Sequence, residues 1–367
     1  MKRLFASTAA VVALCVLPTA AQANHGLGTS AFVHQTNLVS NVPGLAEHTD
    51  SNVVNGWGLS SSSSSPIWVS DNGQDVSTLY NGTTGDPILV GPPGHQVQLV
   101  VSIAGGAPTG TVFNGTSDFV VSSGGNSGPA RFIFASENGV ISGWNPNVDG
   151  THSIGMHTSA NAVYKGLTNG SVTTPGGTAN FLYATNFRAG VVEKLDTNYD
   201  VVGMFTDPSV PSGFAPFGIQ NIGGNLFVTF AKQDSAKHDD VAGKGNGFVD
   251  EFDTSGNLLR RVASGGALNS PWGLAIAPSS WGRVAGDLLV GNFGDGAINV
   301  FDPTTGAWRG GLKSSDTGEP LRIDGLWGLR VGNGGAGGDP NAVEFSAGPD
   351  GESNGLFGTL TSAPPTG

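Results

Sequence analysis

The sequence predicts an all-β fold, a six-bladed β-propeller with four antiparallel strands per blade. Three observations predict it. An aromatic-centred motif recurs six times, with its aromatics at positions 57, 113, 164, 217, 272 and 327, in steps of 51 to 56 residues. Each period holds further short apolar runs separated by turns, and four strands in about fifty residues is the arithmetic of a propeller blade. Glycine makes up 59 of 367 residues and stands between those runs as turn punctuation, while no long stretch keeps the 3.6-residue apolar rhythm of a helix.

The motifs are Asn55-Gly56-Trp57-Gly58-Leu59, Val112-Phe113-Asn114-Gly115, Val163-Tyr164-Lys165-Gly166-Leu167, Ala215-Pro216-Phe217-Gly218-Ile219, Ser270-Pro271-Trp272-Gly273-Leu274 and Gly325-Leu326-Trp327-Gly328-Leu329. They read as inner strands. A bulky aromatic at one fixed place fills the wedge between blades, and the adjacent glycine lets backbones approach near the crowded axis. The second motif is the least regular. A second strand follows in each period, as at residues 67–72, 132–138 and 181–186, and it ends on an acidic or amide residue. A third follows a glycine-bearing turn, as at residues 77–80 and 297–302. A fourth, less regular strand includes residues 98–101. Residues 32–39 precede the first motif and are expected to add a strand to the last blade, closing the ring.

Lys2 and Arg3, an apolar run over residues 4–17 and the small-x-small pattern Ala21-Gln22-Ala23 read as a signal peptide over residues 1–23. The expected address is therefore secreted, extracellular or periplasmic, with cleavage near Ala23. Residues 24–360 read as one propeller domain and residues 361–367 as a short polar tail. The only cysteine, Cys15, falls within the signal, so the mature chain needs no disulfide. No second apolar stretch is long enough to span a membrane. The formal charge is −12, which argues against nucleic acid or anionic lipid as a partner and is compatible with cations, with neutral ligands such as glycans, or with solubility alone. A monomer is expected.

Several segments carry a resemblance: Asn55-Gly56-Trp57-Gly58, Pro108-Thr109-Gly110, Phe214-Ala215-Pro216-Phe217, Pro271-Trp272-Gly273-Leu274, Leu289-Val290-Gly291-Asn292-Phe293-Gly294-Asp295-Gly296 and Gly355-Leu356-Phe357-Gly358. Over nearly the whole mature chain it resembles an uncharacterised family of exported bacterial six-bladed β-propellers, similar to the NHL-repeat and gluconolactonase-like propellers. The resemblance implies fold and address, not a reaction.

In a propeller, the loops entering the inner strands and the loops joining second to third strands open on one face, and function concentrates there. The entering loops carry Asp50, Asn52, Asn55, Asn161, Asn269 and Asp324. The other loops carry Asp71, Asn72, Glu137, Asn138, Asn186, Arg188, Lys232, Asn292, Asp295 and Asp350. A ring of carboxylates and amides suits a hard cation such as Ca²⁺. Gluconolactonase-like propellers hold a divalent metal in this way, and by blade position Asn55, Asn161, Asn269 and Asp324, with Asp50 nearby, are the closest equivalents. The rest form the expected ligand-binding face. Asn and Asp before a strand also cap turns through their own backbone, so a purely structural ring is the competing reading. His48 lies close to Asp50 as a candidate base. Residues 232–247, long, charged and glycine-rich, form a candidate lid or partner loop over the functional face, with a solvated insertion as the competing reading.

Three functions are compatible with these features. The leading one is binding of a glycan, small molecule or protein at the channel face without turnover. The second is a divalent-metal-dependent hydrolase of lactonase or phosphotriesterase type. The third is a structural cell-surface protein.

Overall fold

The computed structural model describes residues 31–365. The signal-peptide reading of residues 1–23, Cys15 included, and the last two residues of the expected tail lie outside the described residues. Among the described residues there is no α-helix, and six antiparallel sheets form the blades. The inner strands are Gly56–Ser60, Pro108–Phe113, Tyr164–Thr174, Phe214–Ile222, Pro271–Ile276 and Leu326–Val331. Each expected motif lies on or at the end of one of them. Blade 6 closes the ring: Phe32–Ser40 lies antiparallel outside Leu356–Ser362, with Val33 opposite Ser362 and Ser40 opposite Leu356. Chain start and chain end thus share one sheet, and closure of the ring protects the edges that an open sheet exposes.

Every inner strand carries a β-bulge at one place. The ladder to the second strand slips at Trp57-Gly58, Thr109-Gly110, Lys165, Phe217-Gly218, Trp272 and Trp327-Gly328. A bulge re-aims side chains and sharpens local twist. It falls each time at a residue followed by glycine. A Cβ on Gly58, Gly110, Gly166, Gly218, Gly273 or Gly328 would run into the inner strand of the next blade, so only glycine lets six strands crowd the axis.

This register corrects two aromatic assignments. Phe113 and Tyr164 are not the counterparts of Trp57, because Thr109 and Lys165 hold that place in blades 2 and 3. Phe113 instead packs on Phe132, with ring centroids 5.5 Å apart, and Tyr164 donates its hydroxyl to Glu193 at 2.6 Å. The column around the axis therefore reads Trp57, Thr109, Lys165, Phe217, Trp272, Trp327.

The remaining core lies between blades. Trp68 of blade 1 stacks on Phe132 of blade 2 at 4.3 Å and meets Trp144 at 4.8 Å. Burying aromatic rings of this size contributes about 1.5–3 kcal/mol each. The inner hairpins are not equal. Blade 1 builds its hairpin from strands of 5 and 5 residues, blade 3 from 11 and 10, blade 4 from 9 and 8. Blade 2 inserts an extra hairpin, Val120–Ser123 with Asn126–Pro129.

Candidate functional site

The axis is plugged by aromatic rings. Trp57 and Trp327 stack with centroids 3.4 Å apart, Phe293 covers the other face of Trp327 at 3.8 Å, and Trp272 meets both tryptophans edge-on. The one cation in the axial column, Lys165, ends above this plug. Its Nζ lies 5.1 Å from the Trp57 ring centroid, and the side chain is only 2% exposed. Trp272 Nε1 donates to the Lys165 carbonyl at 3.0 Å, which fixes the backbone beneath it.

An ammonium this deep needs partners. Lys165 Nζ donates to Glu137 Oε1, and to Asp239 Oδ1 at 3.1 Å. Burial alone would lower the lysine's pKa. The charges of Glu137 and Asp239 outweigh it, and the pKa ends above its ordinary value. The amine is therefore held protonated. Burial also acts against the charge of Asp239, but Lys165 and His238, which meets it at 2.9 Å, bring its carboxyl below the usual range.

Hydrogen bonds continue around the mouth of the channel. Asn72 Nδ2 donates to Glu137 Oε2 at 2.9 Å. Asn55 Nδ2 donates to Asn72 Oδ1 at 3.3 Å and to Glu352 Oε2 at 2.6 Å, and Asn55 Oδ1 accepts from Trp327 Nε1 at 2.9 Å. Asn55 sits at φ +50°, a left-handed conformation that asparagine tolerates better than most residues. Burial raises the pKa of both Glu352 and Asp240. Four carboxyl groups, those of Glu137, Asp239, Asp240 and Glu352, thus surround one lysine, and the mouth is acidic.

The residues expected from sequence fall into two groups. Asn55, Asn72 and Glu137 come together at the mouth. The others do not join them. Asp50 accepts from Tyr80 and Gln98 in a separate groove between blades 6 and 1. His48 bonds the Thr84 carbonyl. Asn269 accepts the Gly243 amide at 2.6 Å, and Asp324 accepts the Asp350 amide at 2.9 Å. Asn161 is exposed. No hydrogen bond links any two of Asn55, Asn161, Asn269, Asp324 and Asp50 among the described residues. Asp71 is buried and accepts from Thr78, and burial raises its pKa. Asn186 bonds Glu193 within its own blade. Asn292 bonds Asp295 and the Ala267 carbonyl, and exposed Asn138 bonds the Gly105 carbonyl. Arg188 is half-buried and Lys232 exposed.

Sequence reasoning missed Lys165, His238, Asp239 and Glu352. One signal was present: aligning the motifs on the residue before the axial glycine places a lysine in a column of mostly aromatic residues. His238 and Asp239 belong to the candidate lid segment, which runs between Asn225–Lys232 and Phe248–Phe252. Ligand atoms of Glu137, His238 and Asp239 lie within 4.8 Å of one another, a spacing a metal ion spans.

No protein-family model matches the chain. Two uncharacterised proteins of Acanthamoeba polyphaga mimivirus are similar to most of it. One is 31% identical over 335 residues, covering 88% of this chain and 78% of the relative. The other is 32% identical over 339 residues, covering 88% and 84%. These relatives are viral, and they lend no support to the expectation of a bacterial family. Among solved structures, the apo form of the soluble aldose sugar dehydrogenase of Escherichia coli superposes with a TM-score of 0.51 at 9% identity, over 90% of this chain and all of that one. A streptogramin B lyase does so at 0.50 and 10% identity, over 90% and 98%. A gluconolactonase of Xanthomonas campestris reaches 0.46 at 12% identity, over 85% and 87%, too low a score to bear on anything further. At these identities the first two show a shared propeller fold and say nothing about chemistry.

Proposed function

The chain belongs to one family with these mimivirus proteins, and for it we propose an exported binding protein that takes a small polar ligand at the channel mouth without turnover. The observation that carries this reading is the hydrogen-bonded chain Glu352–Asn55–Asn72–Glu137–Lys165–Asp239–His238. Donors and acceptors alternate along it, which suits a ligand bearing several hydroxyls or amines. The excess of carboxyl groups favours neutral or cationic ligands over anions. Lys165, protonated and buried, serves as a donor and a fixed charge, not as a nucleophile.

A divalent-metal-dependent hydrolase is the second reading, favoured by the spacing of Glu137, His238 and Asp239. Against it, Lys165 already supplies the positive charge that Glu137 and Asp239 need, so a Ca²⁺ would have to displace an ammonium. Thermal-shift and calorimetric titration with polyols, oligosaccharides and polyamines tests the first reading. A saturable ligand lost in Glu137→Gln and Asp239→Asn supports it. Binding untouched by both variants, or no binder, sinks it. Stoichiometric metal in the purified protein together with lactone or phosphotriester hydrolysis would favour the second.

A further inference from the structure

A second cleft lies at the opposite end of the inner strands. The inner strand of blade 3 runs from Lys165 at the mouth to Gly170 and Ser171, roughly 17–20 Å further on at about 3.3 Å per residue. There the long hairpins of blades 3 and 4 and the connection from Asn114 to Phe119 in blade 2 enclose a cavity of about 380 Å³. A blade needs none of this: blade 1 closes with strands of 5 residues. The extra length in blades 3 and 4 serves to build walls.

The lining is unusual for an acidic protein. The lining side chains are uncharged and their polar groups are amides and hydroxyls, while two charges adjoin them: Asp118 accepts from Asn180, and Lys194 Nζ lies 3.9 Å from the Phe181 ring centroid. Hydrogen bonds between blades hold it in shape. Asn169 Nδ2 donates to the Phe113 carbonyl at 2.8 Å, Asn221 Nδ2 to the Asn169 carbonyl at 2.8 Å, Asn180 Nδ2 to Asp118 at 2.7 Å, and Thr254 Oγ1 to the Ser171 carbonyl at 2.9 Å. Each bond ties one blade to the next, so the cleft is formed before any ligand arrives. A preformed cleft loses little entropy on binding. Phe181 adds an apolar wall beside the amides.

We propose that this cleft binds an uncharged polyhydroxyl ligand, the end of a neutral glycan. Its volume falls within the range of small-molecule sites, about 300–1,000 Å³. Fixed amides and hydroxyls next to an aromatic ring match the alternating hydroxyls and C–H faces of a sugar, and the two adjoining charges are already engaged, Asp118 by Asn180 and Lys194 by the Thr254 carbonyl. The site is independent of the channel mouth.

The test is calorimetric titration of the mature protein with neutral oligosaccharides of glucose, galactose and N-acetylglucosamine, with uronate and amino-sugar versions as charged controls. The expected result is saturable binding of a neutral sugar, weakened by about tenfold or more in Ser171→Trp and in Asn169→Leu, and unchanged in Val202→Trp on the outer strand of the same blade. Ser171 is exposed, so its variant keeps the test valid if Asn169→Leu fails to fold. Three results overturn the proposal. One is the absence of any neutral-sugar binding at millimolar concentration. Another is a preference for the charged sugars. The third is binding that survives Ser171→Trp but is lost in Asp239→Asn, which would place the sugar at the channel mouth.

Discussion

Lys165 Nζ lies 3.1 Å from Asp239 Oδ1, and this contact joins the inner strand of blade 3 to the long loop of blade 4. The lysine end is buried at 2% exposure, while the aspartate is 65% exposed. The two ends therefore carry different energetic weight. Glu137, at 13% exposure, is the partner that solvent cannot replace.

Removing the lysine leaves Glu137 buried without its counter-charge. Lys165→Met is expected to destabilise the fold by roughly 2–4 kcal/mol, towards the range for a broken buried pair. Asp239→Asn is expected to cost under about 1 kcal/mol, as for an exposed pair. Urea unfolding of the three proteins measures both. Equal losses would show that the burial difference does not set the energy.

The same geometry predicts the response to metal. If Lys165 is the resident cation, Ca²⁺ and chelators should leave the wild-type melting temperature unchanged. In Lys165→Ala the vacated space borders Glu137, His238 and Asp239, and Ca²⁺ should raise the melting temperature by mass action. A wild-type protein that loses stability in chelator would reverse the assignment.

The fold was legible because its signals are periodic. Glycine and aromatic positions recur at the interval of a blade, and residues 32–39 were readable as the closing strand because a ring needs one. The register in blades 2 and 3 was not legible from aromatic identity. Phe113 and Tyr164 are aromatic for packing reasons within and between blades, whereas the conserved geometry of the axis lies in the glycine that follows Thr109 and Lys165. Three of the seven residues of the mouth network were legible from loop position, Asn55, Asn72 and Glu137. Lys165 was hidden by its place inside a strand. Asp239 and Glu352 were hidden because their partners lie on neighbouring blades far away in sequence, Lys165 for Asp239 and Asn55 for Glu352.

Axial glycines test the register directly. Gly218→Ala would press a methyl group against the backbone of Trp272 in the next blade. Overpacking of this kind costs about 1–3 kcal/mol or more, and the neighbour here is backbone that cannot rotate away. Gly176→Ala, in the exposed turn of blade 3 where only Thr174 lies near, should be nearly neutral. A neutral Gly218→Ala would mean that the strands do not crowd the axis as described.

Glu344 gives the pH prediction. Its carboxyl is fully buried on Ala342–Ala347, neither oxygen has a hydrogen-bond partner, and Gly82 and Gly338 pack against it. Burial lifts its pKa from 4.5 to about 8, with Arg330 on the paired strand offsetting part of the effect. The folded state then keeps a proton that the unfolded chain releases. The resulting stability is full below about pH 4.5, declines as pH rises and is gone above about 8. Asp250, raised by burial to about 7 despite Arg261, acts in the same direction. Melting temperature should therefore fall across this window, and Glu344→Gln should make the fall shallower, most clearly at its upper end. An identical slope in the variant would show that Glu344 is already ionised in the folded protein, paired with Arg330.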